Sequence, residues 1–350
     1  MGKGFAIPPD VELGARLQEG YSKLKTSDLP PIQVVAIAND SVATLVSFIF
    51  SYDGSARRRA AMGLILGTGS NATVPLRLDQ LHPDKRQQLV SMLPGDKVPE
   101  VKIAVNTEWS INGTEPPMRQ LGLITPWDDE LSAHNELPGF QPLEYMTAGR
   151  YLGELGRIVL LDYMTTVLGL SADKLPTRLL QRHGLTTTFL SHFRPLDDVS
   201  LLVSKLRAEF PECDAPDDGF VWTKEVAEVL YSIAKAIELR AAGIMAAGVA
   251  ALLTLSGDIP EVAGEAPTET TRTHVDELGV GYTGGCIVHF QDYLVDCQRF
   301  LDQLVARRYH GGGGASGPVR VALHACHDGG IMGAGILAAA ALSSKRMEVT

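Results

Sequence analysis

Between Ile32 and Glu108 the chain holds three short apolar runs, each of which stops on polar residues or glycine. Ile32-Gln33-Val34-Val35-Ala36-Ile37-Ala38 stops at Asn39-Asp40, Ala61 to Leu66 at Gly67-Thr68-Gly69, and Val101-Ile103-Val105 at Asn106-Thr107-Glu108. Short apolar runs with such endings predict strands, and the first is β-branched as well. After Asp40, the residues Val42, Leu45, Val46 and Ile49 follow helical spacing, which sets Asp40 between a buried strand and a helix. In open α/β sheets, ligands bind where strand carboxyl ends converge, so these polar endings are candidate site residues.

From Gln141 the pattern turns helical. It predicts a long helix near Glu144 to Leu168 and another from Thr223, where Val226, Val229, Leu230, Ile233 and Ile237 form one stripe. Ala241 to Leu255 is the longest apolar run; it falls short of the roughly 20 residues that span a bilayer and reads as a buried helix, with no membrane insertion. Gly257 to Gly279 mixes Glu261, Glu265, Glu269, Asp276 and Glu277 with Pro, Thr and Gly, an exposed acidic loop. Leu294 to Val305 predicts a helix ended by Gly311 to Gly314 and Pro318, Val319 to Ala325 a strand, and Asp328-Gly329-Gly330 a turn into an Ala-rich last helix.

A hydrophobic content of 45% in 350 residues supports a sizeable core, in one large domain or two smaller ones. The net charge of -10 argues against a nucleic-acid partner, and the basic run Arg57-Arg58-Arg59, beside Asp53-Gly54-Ser55, reads as a solvated loop. Cys213, Cys286, Cys297 and Cys326 show no C-x-x-C spacing, and no apolar signal follows Met1, so a reducing, cytoplasmic setting is expected. Asn71 and Asn112 match N-x-T by chance on that reading. His324-x-x-His327 with Cys326 is not a metal motif, because side chains three apart on a strand face opposite ways. Trp109 and Trp222 read as core.

Phosphoryl transfer to an alcohol needs a carboxylate to take the hydroxyl proton, groups that hold the acceptor, and backbone N–H groups around phosphates. Asp40 suits the first role or, alternatively, caps the helix at 41 to 50. Gly67 to Ala72 partly matches a dinucleotide fingerprint, but Thr73-Val74-Pro75-Leu76 favours extended chain rather than the required helix. Close backbone approach to a polar ligand explains the glycines as well, with Thr68 and Asn71 offering side-chain hydrogen bonds.

Four segments in order, Ala38 to Thr44, Gly63 to Ala72, Asn106 to Trp109, and Pro138 to Glu144 with Tyr151 to Glu154 and Arg157, resemble the eukaryotic, fungal-type hexokinases. Phe189-Leu190-Ser191 and Arg240-Ala241-Ala242-Gly243 resemble the family's helical scaffold, and Gly2-Lys3-Gly4-Phe5 its Lys-Gly-Phe strand. The resemblance implies the two-domain α/β fold of hexokinases and actin-like ATPases (ribonuclease H-like). Residues 1-38 would be a remnant of the small domain, 39-335 the large domain, and 336-350 a helix returning to the small one.

The resemblance also implies roles. Asp40 matches the catalytic base; Lys3, Asn39, Asn71, Glu108 and Glu144 match the hexose-binding set. Gly67, Thr68 and Gly69 match a phosphate-contacting segment, and Asp328 and Gly329 an adenosine-side loop. ATP and Mg²⁺ are the implied cofactors, and glucose, mannose or fructose the implied acceptor in early carbohydrate metabolism. The family's first phosphate-binding segment, with its Mg²⁺-associated Asp, and its Ser-Phe-Pro sugar loop would lie before Met1, so the resemblance implies an N-terminally truncated small domain. Thr283-Gly284-Gly285 stands for Asp-Gly-Ser, His327 for Glu, Gly2 for Thr, and Ser110-Ile111-Asn112 for Gly-Ala-Phe. Ile331 in place of a small residue disfavours positive φ and close approach of adenine. The expected activity is therefore hexose 6-phosphorylation, with a catalytically impaired, sugar-sensing regulator as the alternative.

Overall fold

The computed structural model describes residues 11–52, 57–86, 101–109, 113–194, 198–211, 220–261, 275–309 and 319–347. β1 (Arg58–Leu66), β2 (Ser70–Arg77), β3 (Lys102–Asn106), β4 (Glu277–Thr283) and β5 (Arg320–Ala325) form one sheet in the order β3-β2-β1-β4-β5. β2 runs antiparallel to β1 and to β3, while β4 is parallel to β1 and β5 to β4. The carboxyl ends of β1, β3, β4 and β5 thus share one edge.

α1 (Leu13–Leu24) and α2 (Asp40–Ser51) precede the sheet. Between β3 and β4 come α3 (Glu115–Gln120), α4 (Pro126–Ala133), α5 (Pro142–Thr147), α6 (Gly149–Asp162), α7 (Thr177–Leu180), α8 (Thr187–His192), α9 (Ser200–Glu209) and α10 (Lys224–Leu255). α11 (Gly285–His289) and α12 (Tyr293–Tyr309) follow β4, and α13 (Gly329–Met347) follows β5. α10 starts where Thr223 accepts the Val226 N–H and buries Val226, Leu230 and Ile237, as the stripe predicts. It is longer than the apolar run suggests, and by length and composition alone would cross a bilayer; over half of its most apolar stretch is buried in this fold. Trp222 fills the core and donates its indole N–H to the Phe210 carbonyl at 2.8 Å.

α2 lies close across the sheet because β1 and β4 present glycines to it. A Cβ on Gly63 would stand 2.7 Å from the Ser41 carbonyl oxygen, and one on Gly281 would stand 2.4 Å from the Phe48 ring. Ala43, Leu45 and Phe48 are buried at this contact. α13 packs on α2 from outside the sheet and runs unbroken through residues 335 and 336.

Several expectations are corrected. Ile32 to Ala38 forms no strand and has no ladder partner among the described residues, so Asp40 does not follow a strand. A side chain serves this backbone instead: Gln18 donates to the Ile32 carbonyl and accepts from the Val34 N–H, while Ile32 and Ile37 stay exposed. Arg58 and Arg59 begin β1 rather than a loop, and Arg57, Arg58 and Arg59 pair with Asp276, Glu277 and Asp258. Glu277 to Gly279 is strand, not acidic loop. The helix read from Glu144 to Leu168 breaks at Ala148, because the Gly149 and Arg150 N–H groups donate to the Gly67 and Thr68 carbonyls at 2.8 and 3.1 Å. Lys3 and its strand, Asp53 to Ser55, Ser110 to Asn112, Cys213, Glu265, Glu269 and Gly311 to Pro318 lie outside the described residues.

Candidate active site

The helix α2 begins at Asp40, and its cap is Asn39, not Asp40. Asn39 Oδ1 accepts from the Ser41 N–H at 2.8 Å and the Ser41 hydroxyl at 2.7 Å. Such a cap stabilises a helix by about 1 kcal/mol. Asp40 is exposed in the first turn, where a carboxylate complements the helix dipole, and its Oδ1 also accepts the Ser41 N–H. The Ser41 and Thr73 hydroxyls, 2.6 Å apart, tie this turn to β2.

The side chains of Asn39, Asn71 and Glu108 come together. Glu108 Oε1 accepts from the side-chain amides of Asn39, Asn71 and Asn106 at 3.3, 3.3 and 3.0 Å. Asn71 also donates to Asn39 Oδ1 at 3.2 Å and Asn106 Oδ1 at 2.8 Å. The chain turns sharply after β3, with Glu108 at φ 46 and Trp109 at φ 45. Trp109 is buried, as expected. Asn106 joins this cluster from outside the residues that the sequence motifs single out; an Asn two places before a site acid is the signal for it in the Asn106-Thr107-Glu108-Trp109 segment.

Glu144 is 3% exposed and reaches the same edge from α5. Its Oε2 accepts the Ser70 N–H at 3.1 Å, and its Oε1 accepts the Tyr151 hydroxyl at 3.4 Å. Burial and the Glu144 charge push the Tyr151 phenol up, which keeps it a donor. A buried carboxylate needs such donors.

Gly67, Thr68 and Gly69 form the tight turn between β1 and β2, so the dinucleotide reading, which needs a helix here, fails. Thr68 is exposed beside the start of α6. The turn after β4 presses on it: Gly284 has φ 127, and a Cβ there would lie 2.3 Å from the Leu66 carbonyl carbon. Asp328 carries a positive φ of 57 ahead of α13, and Gly329 packs where a Cβ would meet Cys326 Sγ at 2.9 Å and Thr44 Cα at 3.3 Å. Thr44 is one helical turn beyond Asp40, so Asp328 and Gly329 adjoin the same helix end. Ile331 is corrected: it lies within α13, outside the positive-φ region, with its side chain 78% exposed. Only the backbone part of the expectation changes: no positive φ is required at this position. Among the described residues no three His, Cys, Asp or Glu side chains gather as a metal site, and His324 instead pairs with Glu277 at 3.0 Å.

A family profile described as Hexokinase matches residues 61–340. Rat (Rattus norvegicus) Hexokinase-3 is 33% identical over 223 residues, covering 63% of this chain and 21% of the rat protein. Aspergillus niger Glucokinase is 26% identical over 356 residues, covering 96% of this chain and 63% of the fungal protein. The solved hexokinase from Schistosoma mansoni complexed with glucose superposes with a TM-score of 0.65 at 24% identity, covering 89% of this chain and 58% of that one. The chain spans less than two thirds of the length of each of these relatives. The fold is that of hexokinases and actin-like ATPases.

Proposed function

The chain belongs to the hexokinase family, and on that premise we propose that it binds a hexose at Asn39, Asn71, Glu108 and Glu144 and phosphorylates the sugar 6-hydroxyl from MgATP. The carrying observation is the convergence on one sheet edge of a carboxylate held by three amides, Glu108, and a buried carboxylate, Glu144, next to the helix end that bears Asp40. Vicinal sugar hydroxyls supply paired donors for such acids. Lys3, outside the described residues, would join this set.

In the proposed reaction Asp40 takes the 6-hydroxyl proton as that oxygen bonds to the γ-phosphorus, and the bond to the bridging oxygen breaks to release ADP. The turn at Gly67, Thr68 and Gly69 and the start of α13 at Asp328 and Gly329 flank the nucleotide. Mg²⁺ would enter with the phosphates and neutralise their charge.

The rival reading is a sugar-binding regulator without turnover, favoured by Thr283 standing where the family pattern carries Asp. Glucose-dependent ADP formation that disappears in Asp40→Ala supports the kinase. Glucose binding with no turnover by the parent supports the regulator, and equal turnover in Asp40→Ala removes Asp40 from the role of base.

A further inference from the structure

We infer that Asn106 is a positioning residue of this site, orienting both Glu108 and Asn71 before a sugar arrives. The inference rests on the hexose reading above. Asn106 ends β3 opposite Thr73 of β2, with its amide between the two groups it serves. Its Nδ2 donates to Glu108 Oε1 at 3.0 Å, and its Oδ1 accepts from Asn71 Nδ2 at 2.8 Å.

The order of control follows from the donor inventory. An ionised carboxylate only accepts, so Glu108 admits the Asn106 amide in one orientation, N–H towards the acid. That orientation turns Asn106 Oδ1 towards Asn71. Asn71 Nδ2 has two protons for three acceptors within 3.3 Å, and Asn106 Oδ1 is the nearest. The Asn71 amide is thereby set with its nitrogen towards Glu108 and its Oδ1 accepting the Ala72 N–H at 2.8 Å. The Asn39, Asn71 and Asn106 amides all lie within 3.3 Å of Glu108 Oε1, and Oε2 takes no hydrogen bond among the described residues, so it is the oxygen offered to a sugar hydroxyl. Without Asn106 the Glu108 carboxylate would rotate on a backbone turn, and Asn71 would lose its nearest acceptor.

The test is glucose titration by calorimetry on the parent, Asn106→Ala, Asn106→Asp, Glu108→Ala and the Asn106→Ala/Glu108→Ala pair, with thermal unfolding of each. Asn106→Asp keeps the shape and the acceptor for Asn71 but sets a second carboxylate against Glu108. Both Asn106 variants are expected to weaken glucose at least tenfold with a folded chain, and Asn106→Asp serves alone if the alanine variant unfolds. In the Glu108→Ala background Asn106→Ala is expected to add less than threefold, because its orienting partner is gone. Equal losses in both backgrounds, or unchanged affinity in Asn106→Asp, overturn the inference. Unchanged affinity in Glu108→Ala, or no glucose binding by the parent, overturns the hexose reading itself.

Discussion

Gly248 of α10 faces the indole of Trp109 so closely that a Cβ there would stand 2.8 Å from the ring. Trp109 follows Glu108 in the same turn, so the longest helix supports the candidate sugar ligand through one aromatic contact. Gly248→Ala is expected to lose about 1–3 kcal/mol to overpacking and regain about 0.5–1 kcal/mol of helix propensity, a net destabilisation. Urea unfolding with glucose titration checks this: the expected outcome is lower stability together with weaker glucose binding. A more stable variant with parental affinity would break the link between α10 and Glu108.

A second backbone contact holds the helix that carries Asp40. A Cβ on Gly333 of α13 would lie 1.9 Å from the Ala43 carbonyl oxygen. Neither partner is a flexible side chain, so the helices must separate. Gly333→Ala is expected to cost about 2–3 kcal/mol, at the upper end of overpacking, and to lower turnover by displacing α2. Chemical unfolding and an ADP-release assay measure both effects.

These contacts also show where the sequence was readable. The strands at Ala61 to Leu66 and Val101 to Val105 were legible as short apolar runs ended by glycine or polar residues, and Asn71, Glu108 and Glu144 from their motifs. β4 was not, because Gly279 and Gly281 dilute its apolar signal; the glycines are there to admit Phe48 of α2 and Tyr52 just after it, a tertiary demand that periodicity does not carry. Ile32 to Ala38 had the composition of a strand but takes its hydrogen bonds from Gln18. The break at Ala148 was hidden for a similar reason, since the first N–H groups of α6 serve the Gly67 turn. Asn106 stands within a legible motif, yet its role depends on two partners 35 and 2 residues away.

Two half-buried or buried carboxylates push the pH dependence of stability in opposite directions. Burial pushes Glu238 up to about 7, despite the Lys235 ammonium 2.6 Å from its Oε2. Its folded pKa exceeds its ordinary 4.5, so its contribution is full below about 4.5 and is lost as pH rises through about 7. Burial alone would also raise Glu277, but hydrogen bonds from Tyr52, Arg58 and His324 hold it at about 2. Its contribution is present above about 4.5 and is lost as pH falls through about 2. Glu238→Gln should therefore gain on the parent in urea unfolding between pH 5 and pH 8. Parallel stability curves would show that Glu238 does not titrate in that window.

The central claim is that Asn39, Asn71, Glu108 and Glu144 form a hexose site, and direct glucose titration tests it most simply. Saturable one-to-one binding is expected of the parent, and at least tenfold weaker binding, roughly 1.4 kcal/mol or more, of folded Glu108→Gln and Glu144→Gln. Parental affinity in both variants, or no hexose binding by the parent, would contradict it.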